Sequence, residues 1–533
     1  MKPFAELLDR LLYTPQRTVK IALISDYLRG TPDPDRGFGL AALTGALDFR
    51  HAKPGLIREL VAARTDPVLF AWSYDFVGDL AETTALMWPG RPGEAPWPRL
   101  AEVVAALDAT PKALLPATIA GWLDLLDPTG RWALLKLVTG GLRVGASARL
   151  AKLALAGLGR VDPALVEEVW HGVAPPYAPL FAWLEGRAPR PSVGDVPVFR
   201  PLMLAHPIER EDEARIAAEL DAYAIEWKWD GIRVQLVGNG REARLYSRTG
   251  DEIGGAFPEI VEAVRFDAVL DGELLVGRPA HGPDPGLVMS FNELQQRLNR
   301  KAVTAVMLRE RPAFVRLYDI LLEGAEDLRP LPFGVRRARL EAFVARQRPL
   351  RMDVSPLVEP MAWDALDALR RSARGTTTEG LMLKRRDSPY QAGRPKGPWW
   401  KWKRDVHTLD CVLMYAQRGH GKRSSFYSDY TFGAWREGEA GPELVPVGKA
   451  YFGFTDEELR QLDKWVRDHT RARFGPVREV LPRLVLEIAF DSVHRSTRHK
   501  SGVAMRFPRV ARIRWDKPAA EADRLERLEG LIE

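Results

Sequence analysis

The segment AIEWKWDGIRVQLV, residues 224–237, restricts its own fold more than any other part of the chain. Alternation of apolar and polar residues marks a half-buried strand, because successive side chains leave a strand on opposite faces. Apolar residues hold the odd positions through Ile225, Trp227 and Trp229, then the even positions at Ile232, Val234 and Leu236. A change of phase by one residue turns the buried face over, so a bulge or tight turn must lie at Asp230–Gly231. Before the flip, Glu226, Lys228 and Asp230 share the face opposite the packed one. A lysine aligned with carboxylates there fits a strand-surface ion pair as well as it fits chemistry, and the segment alone leaves both open.

The texture of the chain changes on either side of this segment. Residues 1 to about 195 show helical spacing in LAALTGALDF, LIRELVAAR, RLAEVVAALDA and LLKLV, with almost no alternation. The Pro/Gly-rich stretch GRAPRPSVGDVPVFRPLMLAHP (186–207) reads as a linker. Short alternating strands mixed with helices follow. From about 406, strand-like runs dominate (LDCVLMYAQ, YTFGAWRE, RLVLEIAFDSV), as in a small barrel. A length of 533 residues exceeds one ordinary core. The expected fold class is multidomain: an all-α domain over 1–198, an α+β domain over 199–405 and a β-barrel over 406–533.

Cys411 is the single cysteine, which excludes a disulfide framework and a multi-cysteine zinc site and fits a reducing compartment. The start MKPFAELLDRLLYTPQ reads as an amphipathic helix and lacks the parts of a signal peptide. No apolar run reaches the ~18 residues that span a bilayer, so the expectation is a cytoplasmic protein with no membrane partner. The net charge of +6 is mild, but its distribution is not. Arg495, Arg498, Lys500, Arg506, Arg509, Arg512, Arg514 and Lys517 crowd residues 494–517 against one acid, Asp516. Val503, Met505, Phe507, Val510, Ile513 and Trp515 interleave with them, which favours an ordered surface facing phosphates over a solvated tail.

Lys-x-Asp-Gly at 228–231 arises by chance in on the order of one chain in ten of this length. Here SRTG (247–250), LDGE (270–273), LYDIL (317–321), EGLMLK (379–384), WWKWKRD (399–405) and RFPRVARIRWDK (506–517) follow in order. This series resembles the motifs of the covalent nucleotidyltransferases, and among them the three-domain ATP-dependent DNA ligases. The resemblance covers nearly the whole chain and is densest from 199 to 517. KLVTGGLRVGAS (136–147) is similar to a signature of that family's helical DNA-binding domain, and PLMLAHP (201–207) to the opening of its catalytic domain.

Carried over residue by residue, the resemblance implies that Lys228 attacks the α-phosphate of ATP, for which its amine must be neutral. Lys401 and Lys403 alternate with Trp400 and Trp402 and so share a face that supplies a positive field. Glu273 and Glu379 match the acids that hold Mg²⁺, and Glu273 also reaches toward the ribose. Glu226 matches the adenine-pocket acid, Arg233 and Arg248 the nucleotide-contacting arginines, and Tyr318 the ring that stacks on adenine, commonly Phe. The loop GRPKGPWW departs from the family, and of Arg394 and Lys396 the choice for its nucleotide contact falls on Lys396. Lys384 has strand parity opposite to Glu379 and faces the phosphates only if the strand ends or twists there.

The resemblance further implies an OB-fold for the C-terminal barrel, with Arg514, Asp516 and Lys517 orienting the departing pyrophosphate. Arg143, Arg506 and Arg509 are then DNA contacts, with Arg512 extending the strip. The implied partner is nicked duplex DNA, sealed by a nucleoid-associated monomer in repair beside a nuclease or helicase. RNA ligases and capping enzymes share the lysine but normally lack a helical module of this size ahead of it. NAD⁺-dependent relatives add a cysteine-liganded zinc module that one cysteine does not build.

Overall fold

Helix starts are written into the N-terminal third as aspartate–proline pairs. Asp66, Asp127 and Asp162 each precede a proline in the first turn, and their side chains accept the backbone N–H of Leu69, Gly130 and Ala164. Proline loses nothing there, because first-turn N–H groups have no helical acceptor. The computed structural model describes all residues except 91, 194–195, 283, 299, 301–302, 360, 374–376, 420–426, 440, 452, 497–499 and 533. Arg498 and the linker positions Gly194 and Asp195 therefore lie outside the described residues. From Lys2–Tyr13 to Ala178–Leu184 the elements are α-helices, with no strand among the described residues before His206. Buried Lys20 donates to the carbonyls of Val144 (3.0 Å) and Gly145 (2.9 Å), pinning the loop that carries Arg143. No helix among the described residues is long and apolar enough to cross a membrane.

The next strands are β1 (His206–Pro207), β2 (Tyr223–Trp229), β3 (Ile232–Asn239), β4 (Ala243–Ser247), β5 (Asp267–Arg278), β6 (Leu287–Val288), β7 (Ala313–Glu323), β8 (Glu326–Asp327), β9 (Met352–Val354), β10 (Thr378–Arg385) and β11 (Trp399–Lys403). One sheet has the order β1-β11-β10-β2. The other runs β4-β3-β5-β7-β8, with β6 on β5 and β9 on β7. β2 and β3 thus lie in different sheets, and the phase flip at Asp230–Gly231 is the crossing between them. A Cβ on Gly231 would stand 2.5 Å from the Leu274 carbonyl oxygen and 2.8 Å from Glu273 Cγ, so the crossing needs glycine.

Three apolar layers hold these sheets. Val237, Val269, Leu321, Ala224 and Trp399 fill the space between them. Ile225, Leu381, Leu383, Trp400 and Trp402 pack the outer face of the small sheet with Ile216 and Leu366 from helices. Val234, Leu236, Leu270, Leu274 and Val315 pack the far face of the large sheet with Phe343. On both β2 and β11 one parity is core, and the other faces the space between the sheets.

The C-terminal region is β-rich: β12 (His407–Arg418), β13 (Tyr427–Gly438), β14 (Gly441–Ala450), β15 (Thr470–Phe474), β16 (Val477–Val480), β17 (Val485–Phe490), β18 (Ser492–Arg495), β19 (Val503–Arg506) and β20 (Arg509–Arg514). Long β12 organises it, pairing β13 on one edge and β16 and β17 in succession on the other, with β20 beyond β17. The chain divides into two compact units, one of residues 1–159, 175–181 and 406–533, the other of 160–174 and 182–405. In the second, Glu168 pairs with Arg190 (2.7 Å) and Arg329 (3.1 Å), and the His171 ring lies 4.7 Å from that of Tyr246.

Candidate active site

A cavity of about 430 Å³ opens between the two sheets of the second unit. Glu226 and Lys228 enter it from β2, Lys401 and Lys403 from β11, Arg233 from β3, Glu273 from β5, Tyr318 from β7 and Glu379 from β10. Arg248 lines it from the turn after β4. Because β2 and β3 face each other from different sheets, the flip of phase turns Lys228 and Arg233 into the same space.

Lys228 Nζ lies 2.5 Å from Glu379 Oε2, and Lys403 Nζ lies 3.0 Å from the same oxygen. Gly380 is the strand partner of Lys228, and the β10–β2 register shifts between Thr378 and Gly380. The extra residue in that bulge is Glu379, which reaches the cavity although its number has the wrong parity. Gly380 sits at φ 139°, and a Cβ there would stand 2.2 Å from the Trp402 carbonyl oxygen, so this backbone path also needs glycine. Burial would raise the Glu379 carboxyl, but Lys228 and Lys403 outweigh it and hold it at about 2. Glu273 behaves in the opposite way: burial pushes it up to about 8 against the pull of Lys228 and Arg233.

The far end of the cavity is held by buried ion pairs. Glu226 receives Lys384 Nζ at 2.6 Å and Arg337 Nη1 at 2.8 Å. Lys384 Nζ also stands 4.2 Å from the centroid of the Tyr318 ring. Tyr318 occupies a second register shift, since Asp271 pairs with Asp319 while Gly272 pairs with Leu317. Arg233 is fixed by fully buried Asp271, whose other contact is the Tyr390 hydroxyl at 2.7 Å. Burial, then Arg394, Lys403, Lys228 and Arg248, lower Lys401, the mark of a site whose cations await an anion.

Lys396 is not brought to the cavity. It is exposed and lies 3.9 Å from Asp212, whereas the charge of Arg394 acts on both Lys401 and Arg248. Neither loop cation is in the cavity lining and both are exposed; of the two, Arg394 is the one whose charge acts on Lys401 and Arg248. Met382 and Trp399 line the cavity without having been singled out, and Lys384, expected there only if its strand ended or twisted, lines it as well. Their signal was parity, since 382 and 384 fall in step with Glu226 and Lys228 across the β10–β2 ladder.

The profile described as "ATP dependent DNA ligase domain" matches residues 202–403, and "ATP dependent DNA ligase C terminal region" matches 423–517. A "Probable DNA ligase" of Koribacter versatilis (strain Ellin345) is 33% identical over 573 aligned residues, covering 100% of this chain and 96% of that one. The chain belongs to the ATP-dependent DNA ligases. "DNA ligase 1" of Korarchaeum cryptofilum (strain OPF8) is 31% identical over 100% of this chain and 98% of its own. The solved structure "Pmar-Lig_PreS3" shares the fold over 96% of this chain and 99% of its own, with a TM-score of 0.57 at 16% identity. The family relationship makes the α+β region its nucleotidyltransferase domain, between an all-α region and a β-rich one.

DNA ligases of this kind use Mg²⁺, and the carboxylates present fit such an ion. Glu273 and Glu379 both line the cavity with Lys228, while no cluster of three or more His, Cys, Asp or Glu ligands occurs among the described residues. Two carboxylates suit a hard cation that completes its shell with water and substrate phosphates. The other site candidates of this ligase lie in the first unit. Arg514 pairs with Asp516 (2.9 Å) and with Asp410 (3.2 Å), which also takes Lys517 (2.8 Å). Arg509 lies 3.5 Å from Asp491, Arg506 stacks on Phe507 at 5.0 Å, and Arg143 is exposed at φ 49°.

Proposed function

We propose that this chain seals nicks in duplex DNA at the expense of ATP, with Lys228 as the residue that carries AMP. The observation that supports it best is that Lys228 and Lys403 both lie within 3.0 Å of Glu379 Oε2, facing Glu273 and Arg233 across a cavity of nucleotide size. The Lys228 amine attacks the α-phosphorus, an N–P bond forms, and the bond to the pyrophosphate oxygen breaks. The proton that the ammonium gives up lies on the side of Glu379 Oε2. AMP then passes to the 5′-phosphate at the nick, and the 3′-hydroxyl displaces it. Lys401, Lys403, Arg248 and Arg394 hold the phosphates, Arg233 orients the sugar end, and Tyr318, Glu226 and Met382 form the base end. Glu273 and Glu379 would hold Mg²⁺, whose charge offsets that of the triphosphate and its leaving group.

The finer reading takes the β-rich region as an OB-fold in which Arg514, Asp516 and Lys517 orient pyrophosphate, with Arg143, Arg506 and Arg509 on DNA. A role in repair as a monomer beside a nuclease or helicase completes it. Incubation with α-labelled ATP and Mg²⁺ tests the core of the proposal. A covalent protein–AMP adduct is expected, and its absence, or its persistence in Lys228→Ala, refutes the mechanism. Sealing of nicked duplex DNA is expected to exceed sealing of single-stranded RNA, and the reverse preference refutes the substrate.

A further inference from the structure

Arg473 on β15 and Arg478 on β16 are direct cross-strand partners. Like charges facing each other in a ladder repel and destabilise it, so this hairpin calls for a counter-charge. Two more arginines converge on the same place. Arg418 ends β12 and Arg467 lies in the last turn of helix Asp456–Asp468, and with Arg473 and Arg478 they line a cleft of about 400 Å³. The described lining carries four guanidinium groups and no carboxylate. Asp463 pairs with Arg467 at 2.5 Å, and the Gly475 carbonyl holds buried Arg478 at 2.8 Å, so these two guanidinium groups are held in place.

This cleft is separate from the basic strip on β20. Asp410, which holds Arg514 and Lys517, and Arg418 lie on the same strand, β12, eight positions apart. At ~3.3 Å per residue that is roughly 25 Å. Guanidinium forks match phosphate oxygens in pairs. Four of them around so large a space suit a run of phosphates better than one small anion, since a duplex presents a charge about every 1.7 Å of its axis. The lining lacks the apolar centre of a protein interface. We propose that this cleft binds the phosphodiester backbone of duplex DNA away from the break, a second phosphate contact of the β-rich region. The proposal rests on nicked duplex DNA being the substrate.

The test uses the full chain with Arg467→Ala and Arg473→Ala combined, both exposed side chains, and reads the salt dependence of binding to nicked duplex DNA. Binding is expected to weaken at least about tenfold at physiological salt, and the slope of log K against log salt to become shallower by about 2. The double Lys variant is expected to keep most of the slope. Labelling of Lys228 by ATP without DNA should be unchanged in both, and its failure in the unmodified chain would count against the proposed function rather than the cleft. Unchanged affinity and slope overturn the proposal. So does intact DNA binding with lost binding of a polyglutamate peptide, which would make the cleft a dock for an acidic protein.

Discussion

Lys228 and Glu379 stand 151 residues apart in the chain and 2.5 Å apart at their charged atoms. The antiparallel pairing of β10 with β2 brings them level, and one inserted residue in β10 swings the carboxylate across to the lysine.

Glu379→Gln keeps the shape of that side chain and removes its charge, leaving Lys228 and Lys403 without their shared partner. Formation of the protein–AMP adduct should slow by about 10²–10³-fold in single-turnover labelling with saturating ATP and Mg²⁺. The thermal midpoint should move by only a few degrees. A rate within a few-fold of the unmodified chain would remove Glu379 from the chemistry.

Glu273 gives a pH signature opposite to that of a salt-bridged carboxylate. Its folded value of about 8 lies above the ~4.3 of an unfolded glutamate, so the folded state binds the proton more tightly. The stability it contributes is complete below about pH 4 and is lost as pH rises toward 8. Without nucleotide or metal, the melting temperature should fall across that window more steeply in the unmodified chain than in Glu273→Gln. Calorimetry across the same window decides it, and parallel curves contradict the assignment.

Lys384 and Glu226 are both almost fully buried, and removing Lys384 takes from the buried carboxylate one of its two cations, the other being Arg337. Lys384→Met should lower stability in urea by about 3 kcal/mol, and adding Glu226→Gln should recover part of it. Additive losses in the double variant would show that the two do not act as a pair.

The role proposed for Arg514 predicts that its loss separates the steps of the reaction. If it orients pyrophosphate, Arg514→Ala should slow adduct formation more than tenfold while sealing of a DNA already carrying AMP at its 5′-phosphate stays near normal. Equal losses in both assays would instead make it a DNA contact.

Much of this site was legible because alternation is a strong signal where one face is buried. Lys401 and Lys403 between tryptophans, and Glu226 and Lys228 before the flip, could be assigned to one face from the sequence. The flip itself was readable as a turn, but a turn within one sheet and a crossing between two leave the same trace in a period-two pattern. Glu379 and Tyr318 were reached through the motif resemblance and not through alternation, because each occupies a bulge, which adds a residue to the backbone without altering the residues around it. Lys384 then looked out of phase with Glu379, although both reach the cavity. The GRPKGP loop carries no periodicity, so nothing in its sequence tells Arg394 from Lys396.

The crossing at Gly231 sets a limit on how this site can move. Lys228 and Arg233 are five residues apart, and even a fully extended chain spans only about 17 Å over that length. The two sheets resemble the covers of a book with this turn in its spine. However widely the covers part to admit a nucleotide or release a spent one, the words printed beside the binding stay on facing pages.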